Sequence, residues 1–84
     1  MTKPTKLYAL LLSSSSRSIA YRDFEKLVLA FGFTFARMNG SHAIYEHPKL
    51  PRPFPIQPER KDAKRYQVRE LLELVEQYGL ILDA

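Results

Sequence analysis

Asn39 and Gly40 stand between "FTFARM" and "SHAIYEH", two runs rich in aromatic and β-favouring residues, and nothing else in the chain restricts its fold as much. Asn-Gly between such runs is the strongest short-range hairpin signal, because a two-residue type I′ turn needs positive φ at both central positions. That turn sets a register. It pairs Met38 with Ser41 and places Arg37 opposite His42, Phe35 opposite Ile44 and Phe33 opposite Glu46 on one face. Phe33, Phe35 and Ile44 call for burial, so this face is expected to carry the helices, with Arg37 and His42 at its hairpin end where the cover runs out. Thr34, Ala36, Met38, Ala43 and Tyr45 are expected on the other face.

Helices to cover the sheet are legible on both sides of the hairpin. Phe24, Leu27, Val28 and Phe31 recur at i, i+3, i+4 and i+7, which predicts a helix over 22–31 with Gly32 as its left-handed C-cap. Val68, Leu71, Leu72, Val75 and Tyr78 predict a second over 66–78, closed by Gly79. "PTKLYALLL" opens on a proline suited to a first helical turn and predicts a short helix over 4–12, followed by a polar connector at 13–18 and an extended lead-in at 19–21. "HPKLPRPFPIQP" holds five of the six prolines, so it belongs to loop or edge, with a short third strand at 53–57. The order is helix, helix, hairpin, edge strand, helix. Helices on one face of a three-stranded antiparallel sheet make a two-layer α+β domain.

A chain of 84 residues has room for one domain. Residues 1–18 supply its N-terminal helix and connector, and 19–80 its core. With 45% hydrophobic and 26% charged residues it is too apolar for intrinsic disorder. The absence of cysteine excludes disulfides and thiolate metal ligands and makes the cytoplasm the expected location. "LYALLL" is too short to span a membrane, and no targeting signal or membrane partner is expected.

The net charge of +4 favours an anionic partner. Arg60, Lys61, Lys64, Arg65 and Arg69 crowd together with only Glu59 and Asp62 among them, a run that suits either a solvated face or a nucleic-acid backbone. His42 is open to packing, metal binding or chemistry. His42 and His47 lie five apart on a strand and project to opposite faces, so no metal and no cofactor is expected. Ser41 points away from His42, and no acid completes a triad. An imidazole beside Arg37 does suit proton abstraction with a phosphate clamped by the guanidinium. Metal-free cleavage of RNA fits that pairing best, because the 2′-hydroxyl is its own nucleophile and needs only a base, an acid and cationic support. Tyr45 could stack on a base, and Lys64 and Arg65 could hold phosphates.

Three blocks, "RDFEKLVLAFGF", "GSHAIYEHP" and "AKRYQVRELLELVEQYGL", together resemble the HicA-type (YcfA-like) toxins of bacterial toxin–antitoxin pairs over residues 19–80. The resemblance implies the α-β-β-β-α fold of double-stranded RNA-binding domains, here with an extra N-terminal helix. It implies a metal-independent mRNA interferase, an endoribonuclease whose catalytic histidine is that of Gly-Ser-His, here His42. It also implies an antitoxin partner of the HicB type that covers this histidine. Family members often carry a second histidine where this chain has Ala43. A non-catalytic module of the same fold that binds RNA or the antitoxin is the alternative reading.

Overall fold

The computed structural model describes residues 4–13 and 19–82. Among these residues three helices, α1 (Pro4–Ser13), α2 (Tyr21–Ala30) and α3 (Arg65–Tyr78), accompany five strands. Strands β1 (Thr34–Asn39), β2 (His42–Glu46) and β3 (Phe54–Ile56) form an antiparallel sheet in the order β1-β2-β3. Strands β4 (Pro58–Glu59) and β5 (Asp62–Ala63) form a separate small hairpin. The arrangement is the expected two-layer α+β fold, α-β-β-β-α with a helix added in front. Most of the connector expected at 13–18 lies outside the described residues; Ser13 ends α1 and donates its hydroxyl to the Leu10 carbonyl at 2.9 Å.

The apolar stripes do what their spacing requires. Phe24, Leu27 and Val28 of α2 and Val68, Leu71 and Val75 of α3 are buried against the sheet residues Ala43, Tyr45, Phe54 and Ile56. Leu7 and Leu11 bring α1 into the same core, and Tyr8 meets Phe31 edge to face at 5.0 Å. Gly79 caps α3 in the left-handed conformation, φ 62° and ψ 41°. Gly32, φ 94°, turns the chain out of α2, and a Cβ there would lie 3.1 Å from His47 Nε2.

The hairpin differs from its expected register by one residue. Asn39 pairs with His42, Met38 with Ala43 and Arg37 with Ile44, so the loop is Gly40-Ser41. Gly40, at the first central position, has φ 63°, and Ser41 is not among the positive-φ residues. That pattern matches a type II′ turn, which places glycine first, and not type I′. A β-bulge at Ala36 then shifts the ladder, so that Phe35 pairs with Tyr45 and Thr34 with Glu46. Consequently Ala43 and Tyr45, expected outside, face the helices, while Ile44 is buried as expected, at 6% exposed, but on the opposite face, between Arg37 and Pro55 and outside the helix-side core. Phe33 and Phe35 do share the helix side, joined by Met38, but Phe35 and Met38 are more than half exposed because the helices do not reach the β1 edge.

Two polar side chains brace the layers. Gln67, only 3% exposed, accepts a hydrogen bond from the Gln57 backbone N–H at 3.1 Å and donates to the Pro55 carbonyl at 3.4 Å, so its amide acts as a neighbouring peptide for β3. His47 accepts from the Lys49 backbone N–H at Nδ1, 3.0 Å, which leaves the hydrogen on Nε2 to donate to the Phe31 carbonyl, 3.1 Å. Its ring also stands edge-on to Phe33 at 5.0 Å. Residues 19–21 run beside β5: Ala63 donates to the Ile19 carbonyl, Tyr21 to the Lys61 carbonyl, and Ala20 bridges to Asp62.

Candidate nucleic-acid interface

His42 opens β2 on the sheet face turned away from the helices. It is half-buried, and its imidazole makes no hydrogen bond to a described residue. Its cross-strand partner is Asn39, and the exposed Arg37, two residues before Asn39, is its diagonal neighbour on the same face. Such diagonal positions are about 7–8 Å apart, within the reach of a long side chain. The two groups expected as directly opposed are therefore companions by another route, on the other face. The bulge makes this possible. In an uninterrupted strand, alternation from Phe35 would turn Arg37 inward.

His47 takes no part in this face. Its side chain runs to the end of α2 and is bonded there through both ring nitrogens. Ala43 points into the core, so a histidine at that position would not stand beside His42.

Tyr45 does not have the stacking position expected of it. It is 3% exposed, and its hydroxyl donates to Glu25 Oε2 at 3.0 Å. Burial, then the hydrogen bond and charge of Glu25, then the nearby Tyr21, push its pKa well above the ordinary tyrosine range. Burial, with the Glu25 charge second, raises that of Tyr21 as well. The ring is a packing element between the layers, with no face left for a base.

Lys64 and Arg65 stand at the start of α3, in the helix layer and not on the sheet face of His42 and Arg37. They nevertheless share its end of the molecule. Gln57 follows Ile56, which pairs with Ala43, so Gln57 lies level with His42, and Gln67 ties it to the first turns of α3. The basic run is thus divided between two elements. Arg60 and Lys61 form the tip of the β4–β5 hairpin, Arg60 at φ 62°, and Lys64, Arg65 and Arg69 line the beginning of α3. Sequence reasoning missed Tyr66, which is 57% exposed among these cations, with Lys64 Nζ 5.9 Å from its ring centroid. The signal was available, since Tyr66 lies in the first turn of α3, one residue before the buried Gln67 and off the apolar stripe.

No helix of the described residues is long and apolar enough to cross a membrane. Among these residues no group of three or more His, Cys, Asp or Glu could hold a metal ion. Residues 21–80 match a family model described as the HicA toxin of bacterial toxin–antitoxin. Comparisons with curated proteins and with solved structures give no match.

Proposed function

Because the chain belongs to the HicA toxin family of bacterial toxin–antitoxin systems, we propose that it is an mRNA interferase that cleaves RNA without metal, using His42 as its proton acceptor. The observation that supports this is a half-buried imidazole with no hydrogen-bond partner among the described residues, on the sheet face turned away from the helices, with the exposed Arg37 as its diagonal neighbour. His42 takes the proton of a ribose 2′-hydroxyl. The 2′-oxygen attacks the adjacent phosphorus, the P–O5′ bond breaks, and the departing 5′-oxygen collects a proton from water, leaving a cyclic phosphate. Arg37 stabilises the charge that gathers on the phosphoryl oxygens. The partner is a HicB-type antitoxin that covers the same face, and both act in the cytoplasm.

The test is incubation of purified protein with RNA in chelator, wild type against His42→Ala. Cleavage by the wild type and loss of about 100-fold or more in rate on substitution is expected for a general base. Equal cleavage by both proteins, or equal growth arrest when both are expressed in a bacterium, would refute the role of His42. RNA bound with steep salt dependence but left intact by the wild type would mark a non-catalytic module instead.

A further inference from the structure

Resting on the reading that RNA is the substrate, we infer that Tyr66 and the cations around it form a separate docking site for single-stranded RNA, in which the phenol ring stacks on one unpaired base. Of the ten aromatic residues only Phe35 and Tyr66 are exposed. The Phe35 ring is engaged edge-on with Tyr45 at 5.7 Å. Tyr66 instead lines an open groove of about 850 Å³ together with Arg60, Lys64 and Arg65 and the acids Glu59 and Asp62. Lys64 Nζ, 5.9 Å from the Tyr66 ring centroid, puts a cation beside any base laid on the ring.

The residues that make this groove basic are poor choices for the backbone they occupy. Arg60 is the sole non-glycine residue with positive φ among the described residues, a conformation that glycine or asparagine adopts at lower cost. Lys64 is the N-cap of α3 and gives no side-chain cap. Arg65 occupies the first helical turn, which holds no acid, although the helix dipole favours negative charge there. Local rules broken together, at Arg60 and Arg65 by exposed side chains and at Lys64 by one whose ammonium lies beside the Tyr66 ring, point to positions held for their charge.

The mixed lining bears on what kind of anion fits. With acids as well as cations in the lining, the groove is not a simple trap for phosphate, and the exposed ring of Tyr66 is the other surface it offers. A stacking platform needs a base with a free face, which a continuous duplex does not offer. Arg69, one turn beyond Arg65 on the exposed side of α3, continues the positive track for the backbone of the same strand.

The experiment measures fluorescence anisotropy of a labelled single strand of about 12 nucleotides, within the span such sites cover, and of a duplex of equal length. The full chain carrying His42→Ala is used so that the RNA stays intact. Tyr66→Ala is expected to weaken single-strand binding about tenfold, and Tyr66→Phe to restore it. Arg60→Gly is expected to flatten the dependence of log affinity on log salt by about 0.7 while leaving the protein at least as heat-stable. The duplex is expected to bind more weakly and to ignore Tyr66→Ala. Single-strand affinity unchanged by Tyr66→Ala, or equal losses for strand and duplex, would overturn the docking site. If Tyr66→Ala with His42 intact cleaves RNA at an unchanged KM, only the docking site falls; a parent protein that neither binds nor cleaves RNA removes the functional reading as well.

Discussion

Replacing Gln67 with leucine removes the one buried amide side chain among the described residues and tests how β3 is held. The Gln57 N–H would lose its acceptor at 3.1 Å, and an orphaned, part-buried donor costs about 1–3 kcal/mol. The Pro55 carbonyl, at 3.4 Å a weaker partner and nearer to water, adds roughly 0.5 kcal/mol. The more apolar leucine returns about 1 kcal/mol. The net loss is about 1.5 kcal/mol, against a total of roughly 4–13 kcal/mol for a domain of this size. At about 4–8 °C per kcal/mol, Tm should fall by roughly 6–12 °C. Urea unfolding followed by circular dichroism, in the His42→Ala background, should show a lower midpoint with an unchanged slope. Gln67→Glu adds a control with a sign. Its buried carboxyl would titrate above the ordinary glutamate range of about 4.3, so the stability tied to its neutral form is complete below that range and is lost as pH rises through the folded-state pKa. A Gln67→Leu protein within about 0.5 kcal/mol of its parent would refute the bracing role.

The two histidines should separate cleanly. His47→Ala loses the bond to Phe31 and the edge contact with Phe33 and should cost about 2 kcal/mol in urea unfolding, whereas His42→Ala should stay within about 0.5 kcal/mol; the reverse order would be inconsistent with these placements. Tyr45 and Tyr21 have pKa values raised in the fold, by burial first, so the unfolded chain releases these protons at lower pH than the native one. Stability from these groups is therefore full below pH ~10 and declines as pH rises beyond it, and Tyr45→Phe should weaken that decline. Unfolding curves at mildly and strongly alkaline pH measure it, and identical alkaline slopes for the two proteins would argue against a buried phenol at position 45.

Element order could be read from the chain because long helices carry redundant signals. In α3 the stripe from Val68 to Val75 and the terminal Gly79 each point to the same segment. Strand phase had no such redundancy. Both "FTFARM" and "HAIYE" offer large apolar residues on either parity, so a one-residue change of turn exchanges Ile44 for Tyr45 without an obvious penalty in pattern. The informative partner was β3, where Phe54 and Ile56 alternate with prolines and must face the core, which draws Tyr45 and Ala43 inward with them. Likewise Gln67 is four residues before Leu71, on the apolar stripe, but a count of apolar positions passes over it. The β4–β5 hairpin was illegible because its strands are two residues each and its tip holds Arg60 where turn chemistry favours glycine. Of the candidate site, His42 and Arg37 emerged on a common face, Lys64 and Arg65 in another layer, and Tyr45 inside.

The supernumerary residue at Ala36 has a bearing on solubility. Strand β1 is the outer rim of its sheet, and beside that rim Phe35 and Met38 are 52% and 58% exposed. A straight rim with sticky neighbours is a template on which another chain can add itself, molecule after molecule. The irregularity breaks the row of donors and acceptors midway and kinks the rim out of plane, so the same small distortion that turns Arg37 outward also denies a passing strand a continuous seat.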